Sequence, residues 1–216
     1  MKILNLYAGI GGNRKLWGDE HKITAVEYNQ EIADIYKDFF PSDTVIVTDA
    51  HQYLLDNYKE FDFIWSSPPC PSHSRMRYML TKTEFGGGAD RDIKYVDMKL
   101  YQEILLLDNY FNGFWIVENV KPYYQPLIQA KEIGRHLFWS NFIISNYEKK
   151  SARVRDGSLK SLQITNGFDL SKYKIKHRKD TILRNCVDSE ISNSILNCAL
   201  GIRTKKNTKQ TELFDE

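Results

Sequence analysis

Cys70 stands in the run Trp65-Ser66-Ser67-Pro68-Pro69-Cys70-Pro71-Ser72-His73-Ser74, directly after the apolar stretch Phe61 to Trp65. The stretch reads as a strand, so the thiol falls at a strand exit. Two prolines ahead of it fix φ and stiffen the backbone, so the sulfur is held at a set position rather than sweeping through a loop. Nucleophiles are presented in this way, although a free Cys also commonly serves as a small buried hydrophobe. A second chemical group lies further along. Gly113-Phe114-Trp115-Ile116-Val117 is continuously apolar, as a central parallel strand requires, and it delivers Glu118-Asn119-Val120 at its carboxyl end. A carboxylate beside a hydrophobic core has a raised pKa and can donate a proton to a ring nitrogen at neutral pH. An isolated Glu at a helix start would be an ordinary response to the helix dipole; a thiol and an acid at two strand exits together suggest covalent chemistry.

The beginning of the chain predicts where a ligand would sit. Lys2 to Tyr7 reads as a strand, Tyr7-Ala8-Gly9-Ile10-Gly11-Gly12 as a glycine turn, and Asn13 to Trp17 as the first turns of a helix that buries Leu16 and Trp17. Glycines let the backbone turn tightly and approach a ligand, and free helix N–H groups can meet an anionic or polar group. The spacing departs from the dinucleotide pattern of three spaced glycines with an acid about 20 residues later. Here the acid comes sooner: Ile23 to Tyr28 is a second strand ending in Glu27, placed to accept hydrogen bonds from ribose hydroxyls, with Tyr28 able to pack on an adenine. A third strand, Thr44 to Thr48, ends in Asp49, a plausible acceptor for an exocyclic amine. Asp97 to Tyr110 reads as an amphipathic crossover helix that packs on the core.

Three motifs taken in order, Tyr7-Ala8-Gly9-Ile10-Gly11-Gly12, Pro68-Pro69-Cys70 and Glu118-Asn119-Val120, resemble the cytosine-C5 DNA methyltransferase family. A fourth, Arg184-Asn185-Cys186-Val187 before the helical stretch Ser189 to Leu200, resembles the family's C-terminal motif, which returns to complete the methyl-donor pocket. The resemblance implies an α/β fold, a doubly wound and mostly parallel sheet of the S-adenosylmethionine-dependent methyltransferase type. It implies S-adenosylmethionine as donor, bordered by Tyr7, Gly9, Gly11, Gly12 and Pro69, with Glu27 at its ribose, Tyr28 and Asp49 at its adenine, and Asn185 on its outer side. Cys70 would attack C6 of cytosine while Glu118 bonds at N3, so that C5 becomes nucleophilic enough to take the methyl group. The target nucleotide would be extruded from the duplex. The expected organisation is a catalytic core over 1–145, a short basic region over 146–181 in place of a target-recognition domain, a helix over 182–201 completing the core, and a tail over 202–216.

This sequence departs from the family in three places. Pro71 replaces the usual Gln after the nucleophile, which removes an N–H. The family's Gln-x-Arg-x-Arg segment, whose arginine meets the cytosine oxygen, is missing; Arg135 before the apolar stretch Leu137 to Ile144 is the preferred substitute, with Arg153 and Arg155 as the other candidates. With 216 residues there is little room for a second domain. The region 146–181, rich in Lys, Ser and Asp, reads as loops or a small hairpin, so specificity is expected to be low or shared with a recognition subunit.

Charge is distributed unevenly. Residues 121–180 hold thirteen Lys or Arg against five Asp or Glu, a balance of +8, whereas residues 1–120 hold twelve against eighteen, a balance of −6. A basic segment of this kind suits a polyanion such as DNA, although charge runs also serve as solvated faces. Arg75, Arg77, Lys82, Arg91 and Lys94 around Gly86-Gly87-Gly88 form a basic segment beside the nucleophile that could close over DNA. Three cysteines without metal spacing and five scattered His propose no metal site, and no apolar run reaches membrane-spanning length. The expectation is a soluble protein of a reducing, cytoplasmic interior. Gln210-Thr211-Glu212-Leu213-Phe214 resembles the peptides that dock bacterial replication proteins into a sliding clamp, through Gln210, Leu213 and Phe214. With the small size, it suggests a phage or mobile element and a restriction-modification context. Two functions are in contention: a compact DNA (cytosine-5)-methyltransferase, or a methyltransferase-like protein that binds nucleic acid or a clamp with little or no turnover.

Overall fold

The computed structural model describes residues 1–75, 78, 95–147 and 157–202. Its centre is a seven-stranded sheet of β1 (Lys2–Leu6), β2 (Lys22–Glu27), β3 (Thr44–Val47), β4 (Phe63–Ser66), β5 (Phe114–Val120), β6 (Lys131–Ile133) and β7 (His136–Ser140). The order across the sheet is β3-β2-β1-β4-β5-β7-β6. The first five strands are mutually parallel, and β7 runs antiparallel to both of its neighbours. Strand order reverses between β1 and β4, which leaves a crevice at their carboxyl ends, the place where open α/β sheets bind ligands.

Parallel strands must be covered on both faces, and the burial of β1, β4 and β5 follows that requirement. On one face α2 (Ala50–Asn57) and α3 (Lys99–Tyr110) pack Leu54, Leu100, Ile104 and Leu107 against Leu4, Leu6, Ile64, Trp115 and Val117. On the other, α6 (Ser189–Ala199) packs Ile191, Ile195 and Leu196 against Ile3, Phe63, Trp65 and Ile116. α1 (Gln30–Phe39) begins at Asn29, whose side chain accepts the Ile32 N–H, and buries Ala33, Ile35 and Tyr36.

Two expectations change. Asn13 to Trp17 forms a single 3₁₀ turn, Arg14–Leu16, rather than the opening of an α-helix, and Leu16 is 45% exposed. One turn cannot bury two adjacent side chains. Trp17 takes the interior position, 2% exposed, where its indole N–H donates to Ser192 Oγ at 2.7 Å. The buried Arg14 instead pairs with Asp43 at 2.8 Å, and Tyr36 donates to the same carboxylate.

The region expected as loops or a small hairpin contains α4 (Leu159–Asn166), followed by α5 (Lys179–Arg184). Ser158 caps α4 at its start, and Gly167 closes it in the left-handed conformation at φ +65°. Leu162, Phe168, Leu170, Ile182 and Leu183 form a third apolar cluster with Ile10 and Ile35. Their spacing is too irregular to read as an amphipathic run; burial against α1 and the glycine turn is what makes these short helices stable.

Candidate active site

The glycine turn is built by closely constrained backbone. Tyr7 lies at φ +55°, Gly9 at +56° and Gly11 at +86°. A Cβ on Gly11 would come within 2.3 Å of Phe40, and one on Gly12 within 2.8 Å of the Cys186 Cβ and 2.9 Å of the Val187 carbonyl. A Cβ on Gly9 meets nothing within 4 Å, so this position faces open space where a ligand can approach. Glu27 at the end of β2 holds the turn: Oε2 accepts the Gly9 N–H at 3.0 Å and Oε1 the Asn29 N–H at 2.9 Å. Each carboxylate oxygen retains a lone pair for a further donor. Tyr28 is 77% exposed beside it. Asp49 caps α2 through Oδ1, accepting the Gln52 N–H, while Oδ2 lies 3.9 Å from Lys99 Nζ. Asn185 is the exposed C-cap of α5, and the following residue, Cys186, reaches Gly12.

The thiol and the acid occupy neighbouring strand exits. Cys70 follows β4 and Glu118 lies on β5, with Pro68 buried and Pro69 exposed. The two loops are stitched together: Asn119 Nδ2 donates to the Pro68 carbonyl at 2.9 Å, Arg75 Nε to the Pro122 carbonyl at 2.9 Å, and the Tyr123 N–H to the His73 carbonyl at 3.2 Å. The Cys70 carbonyl accepts the N–H groups of His73 and Ser74 at 3.0 Å, so the loop turns immediately after the sulfur. Burial raises the Glu118 pKa to about 7, opposed by a hydrogen bond from Ser67 and by the charge of Arg135. Burial also raises the Cys70 thiol, the Glu118 charge raises it further, and Arg135 pulls it down.

Arg135 is exposed at the β6–β7 turn, a two-residue loop whose first position, Gly134, has φ +62°. The Lys121 N–H binds the Arg135 carbonyl at 2.9 Å, which fixes the turn beside the end of β5. Its charge reaches both Cys70 and Glu118. His136 Nε2 lies 3.7 Å from Glu118 Oε1. The other candidates, Arg153 and Arg155, lie outside the described residues, as do the basic residues Arg77, Lys82, Arg91 and Lys94, the Gly86 to Gly88 run, and Gln210, Leu213 and Phe214.

Sequence reading missed Glu103. It is fully buried on α3, where its carboxylate accepts the hydroxyls of Tyr7 and Ser66, each at 2.6 Å, and lies 2.9 Å from His51 Nδ1. Among the described residues no group of His, Cys, Asp or Glu is arranged to hold a metal, and no helix is long and apolar enough to cross a membrane.

Residues 1–124 match the family model of C-5 cytosine-specific DNA methylases. The chain belongs to this family, and with it to the S-adenosylmethionine-dependent methyltransferases. Similar solved structures include a DNMT2 mutant of Spodoptera frugiperda (30% identity, 56% of this chain and 35% of that chain, TM-score 0.37). A putative DNA modification methyltransferase encoded within an Escherichia coli prophage is 20% identical over 58% of this chain and 33% of that one, TM-score 0.36. A hypothetical protein of Thermus thermophilus is 13% identical over 64% of this chain and 73% of that one, TM-score 0.41. This chain thus spans about a third of the first two. Comparison with curated proteins returned no match. The open face at Gly9, the carboxylate of Glu27, and the exposed Tyr28 and Asp49 fit the donor, which needs close backbone approach, a ribose acceptor and an aromatic surface.

Proposed function

We propose that this protein is a DNA (cytosine-5)-methyltransferase that works through a covalent Cys70 adduct. The observation that supports this reading is a thiol and a buried carboxyl at the exits of two paired strands, β4 and β5, that are tied together by the Asn119 to Pro68 hydrogen bond. S-adenosylmethionine, held along Tyr7, Gly9, Gly11, Gly12, Glu27, Tyr28, Asp49, Pro69 and Asn185, supplies an electrophilic methyl group.

In the proposed cycle Glu118, protonated, donates to N3 of the extruded cytosine and draws electron density from the ring. The Cys70 thiolate adds to C6, the ring electrons move to C5, and C5 takes the methyl group. The methyl group's bond to the donor sulfonium breaks as the C5 bond forms, leaving S-adenosylhomocysteine. A water then takes the C5 proton, the C6–S bond breaks to release Cys70 as thiolate, and N3 returns its proton to Glu118. Protonating Glu118 also removes the negative charge that burdens the thiol, so the two protonation states support one another. Arg135, whose charge lowers both groups, faces the position of the cytosine oxygen in this reading. The same reading takes in the basic region as a phosphate contact, a recognition subunit and a sliding clamp bound through Gln210, Leu213 and Phe214.

A second reading, a binding protein with little turnover, draws support from the raised Cys70 pKa, which reduces the thiolate population. Incubation with 5-fluorocytosine DNA and donor separates the two, because fluorine blocks release. A denaturation-resistant adduct that disappears in Cys70→Ala is expected; no adduct on any DNA would favour the binding reading, with an enzyme acting on RNA or free nucleotides as the remaining variant of the first.

A further inference from the structure

Glu103 is a buried carboxylate that the proposed cycle leaves unused. It lies on the core face of α3 between Leu100, Ile104 and Leu107, where a charge is costly unless it is fully hydrogen-bonded. Its partners come from three different parts of the chain. Tyr7 directly follows β1 and opens the glycine turn. Ser66 is the last residue of β4 and begins the run that presents Cys70. His51 lies in the first turn of α2, two residues after Asp49.

We infer that Glu103 is a positioning residue that fixes the donor turn, the adenine-side helix and the nucleophile strand against one another. Tyr7 makes the need visible. Its left-handed backbone at φ +55° is unfavourable for a residue with a Cβ, and its hydroxyl is anchored to Glu103 Oε1 at 2.6 Å. The neighbouring Gly9 N–H is anchored from the opposite side by Glu27. The donor turn is therefore fixed between two carboxylates, one on β2 and one on α3. Because Ser66 binds the other oxygen of the same carboxylate, the donor turn and the nucleophile strand share one anchor.

This inference rests on the proposed donor site, and the test keeps the two apart. S-adenosylmethionine affinity is measured by calorimetry on the full chain and on Tyr7→Phe, Ser66→Ala, Glu103→Gln and the double variants. Tyr7→Phe is expected to weaken donor binding about tenfold, the size of losing a hydrogen bond to a charged group. Ser66→Ala, which removes no donor contact, is expected to weaken it severalfold through Glu103. In the Glu103→Gln background neither change should cost more than about twofold, a non-additivity that general loss of stability does not produce. Should Glu103→Gln fail to fold, the Tyr7→Phe and Ser66→Ala cycle serves alone, with non-additive losses expected. A wild-type protein that does not bind the donor overturns the proposed function and this inference together. Normal donor binding in wild type with unchanged affinity in Tyr7→Phe and Ser66→Ala, or strictly additive losses, overturns this inference alone.

Discussion

At the residue scale, Glu118 links the site's chemistry to its stability. Its folded pKa of about 7 lies above the 4.5 of a free glutamate. Between those values the folded protein holds a proton that the unfolded chain has released, so stability falls as pH rises through that window and levels off above about 7. The span corresponds to about 3 kcal/mol. Glu118→Gln removes the penalty, and its urea unfolding is expected to change little between pH 5 and pH 8 while the parent weakens. The same substitution removes the charge that raises the Cys70 thiol, so iodoacetamide should alkylate Cys70 faster in the variant at pH 8. Methyl transfer is nonetheless expected to drop by about two orders of magnitude, since an amide cannot give its proton to N3.

At the element scale, the glycine turn closes only where distant segments meet. Gly12→Ala would drive a methyl group into Cys186 and the Val187 carbonyl, which are backbone-bound neighbours unable to swing aside. A loss of about 1–3 kcal/mol is expected, read as a lower thermal midpoint together with weaker donor binding. Gly134→Ala meets nothing within 4 Å, and its φ of +62° alone should cost about 1 kcal/mol. Equal losses at the two positions would refute the close approach of the C-terminal motif. The strand exits at Cys70 and Glu118 were legible in the sequence because each follows a short apolar run, Phe63 to Trp65 and Phe114 to Val117. Glu103 was not, because it occupies one position of an amphipathic helix and its partners lie between 37 and 96 residues away. α4 escaped for a related reason: its apolar contacts are scattered, and its stability comes from α1 and Ile10.

At the scale of the whole molecule, the structure tempers the charge asymmetry. Lys172 pairs with Asp38, His177 contacts Glu31, Arg178 pairs with Asp180 and Lys121 with Glu132. Several charges of the basic region therefore hold it to the core or to itself and contribute less to a polyanion. DNA affinity, measured by fluorescence anisotropy, should still depend on salt. Neutralising three phosphates would give roughly a 40-fold loss between about 50 and about 200 mM salt. A logarithmic slope shallower than about −1 would mean that the basic region does not face DNA.

The contact of Cys186 with Gly12 has a consequence for how the protein is made. The wall packed against Gly12, part of the proposed donor site, consists of residues that leave the ribosome long after the glycine turn has been synthesised, and the Trp17 to Ser192 hydrogen bond secures the same late arrival. A nascent chain that stops short of this segment would carry the glycine turn, Cys70 and Glu118 without a finished pocket. A nonsense codon even near position 185 should thus yield a protein that takes up no donor, so any activity in a cell reports translation that has run past the last wall of the site.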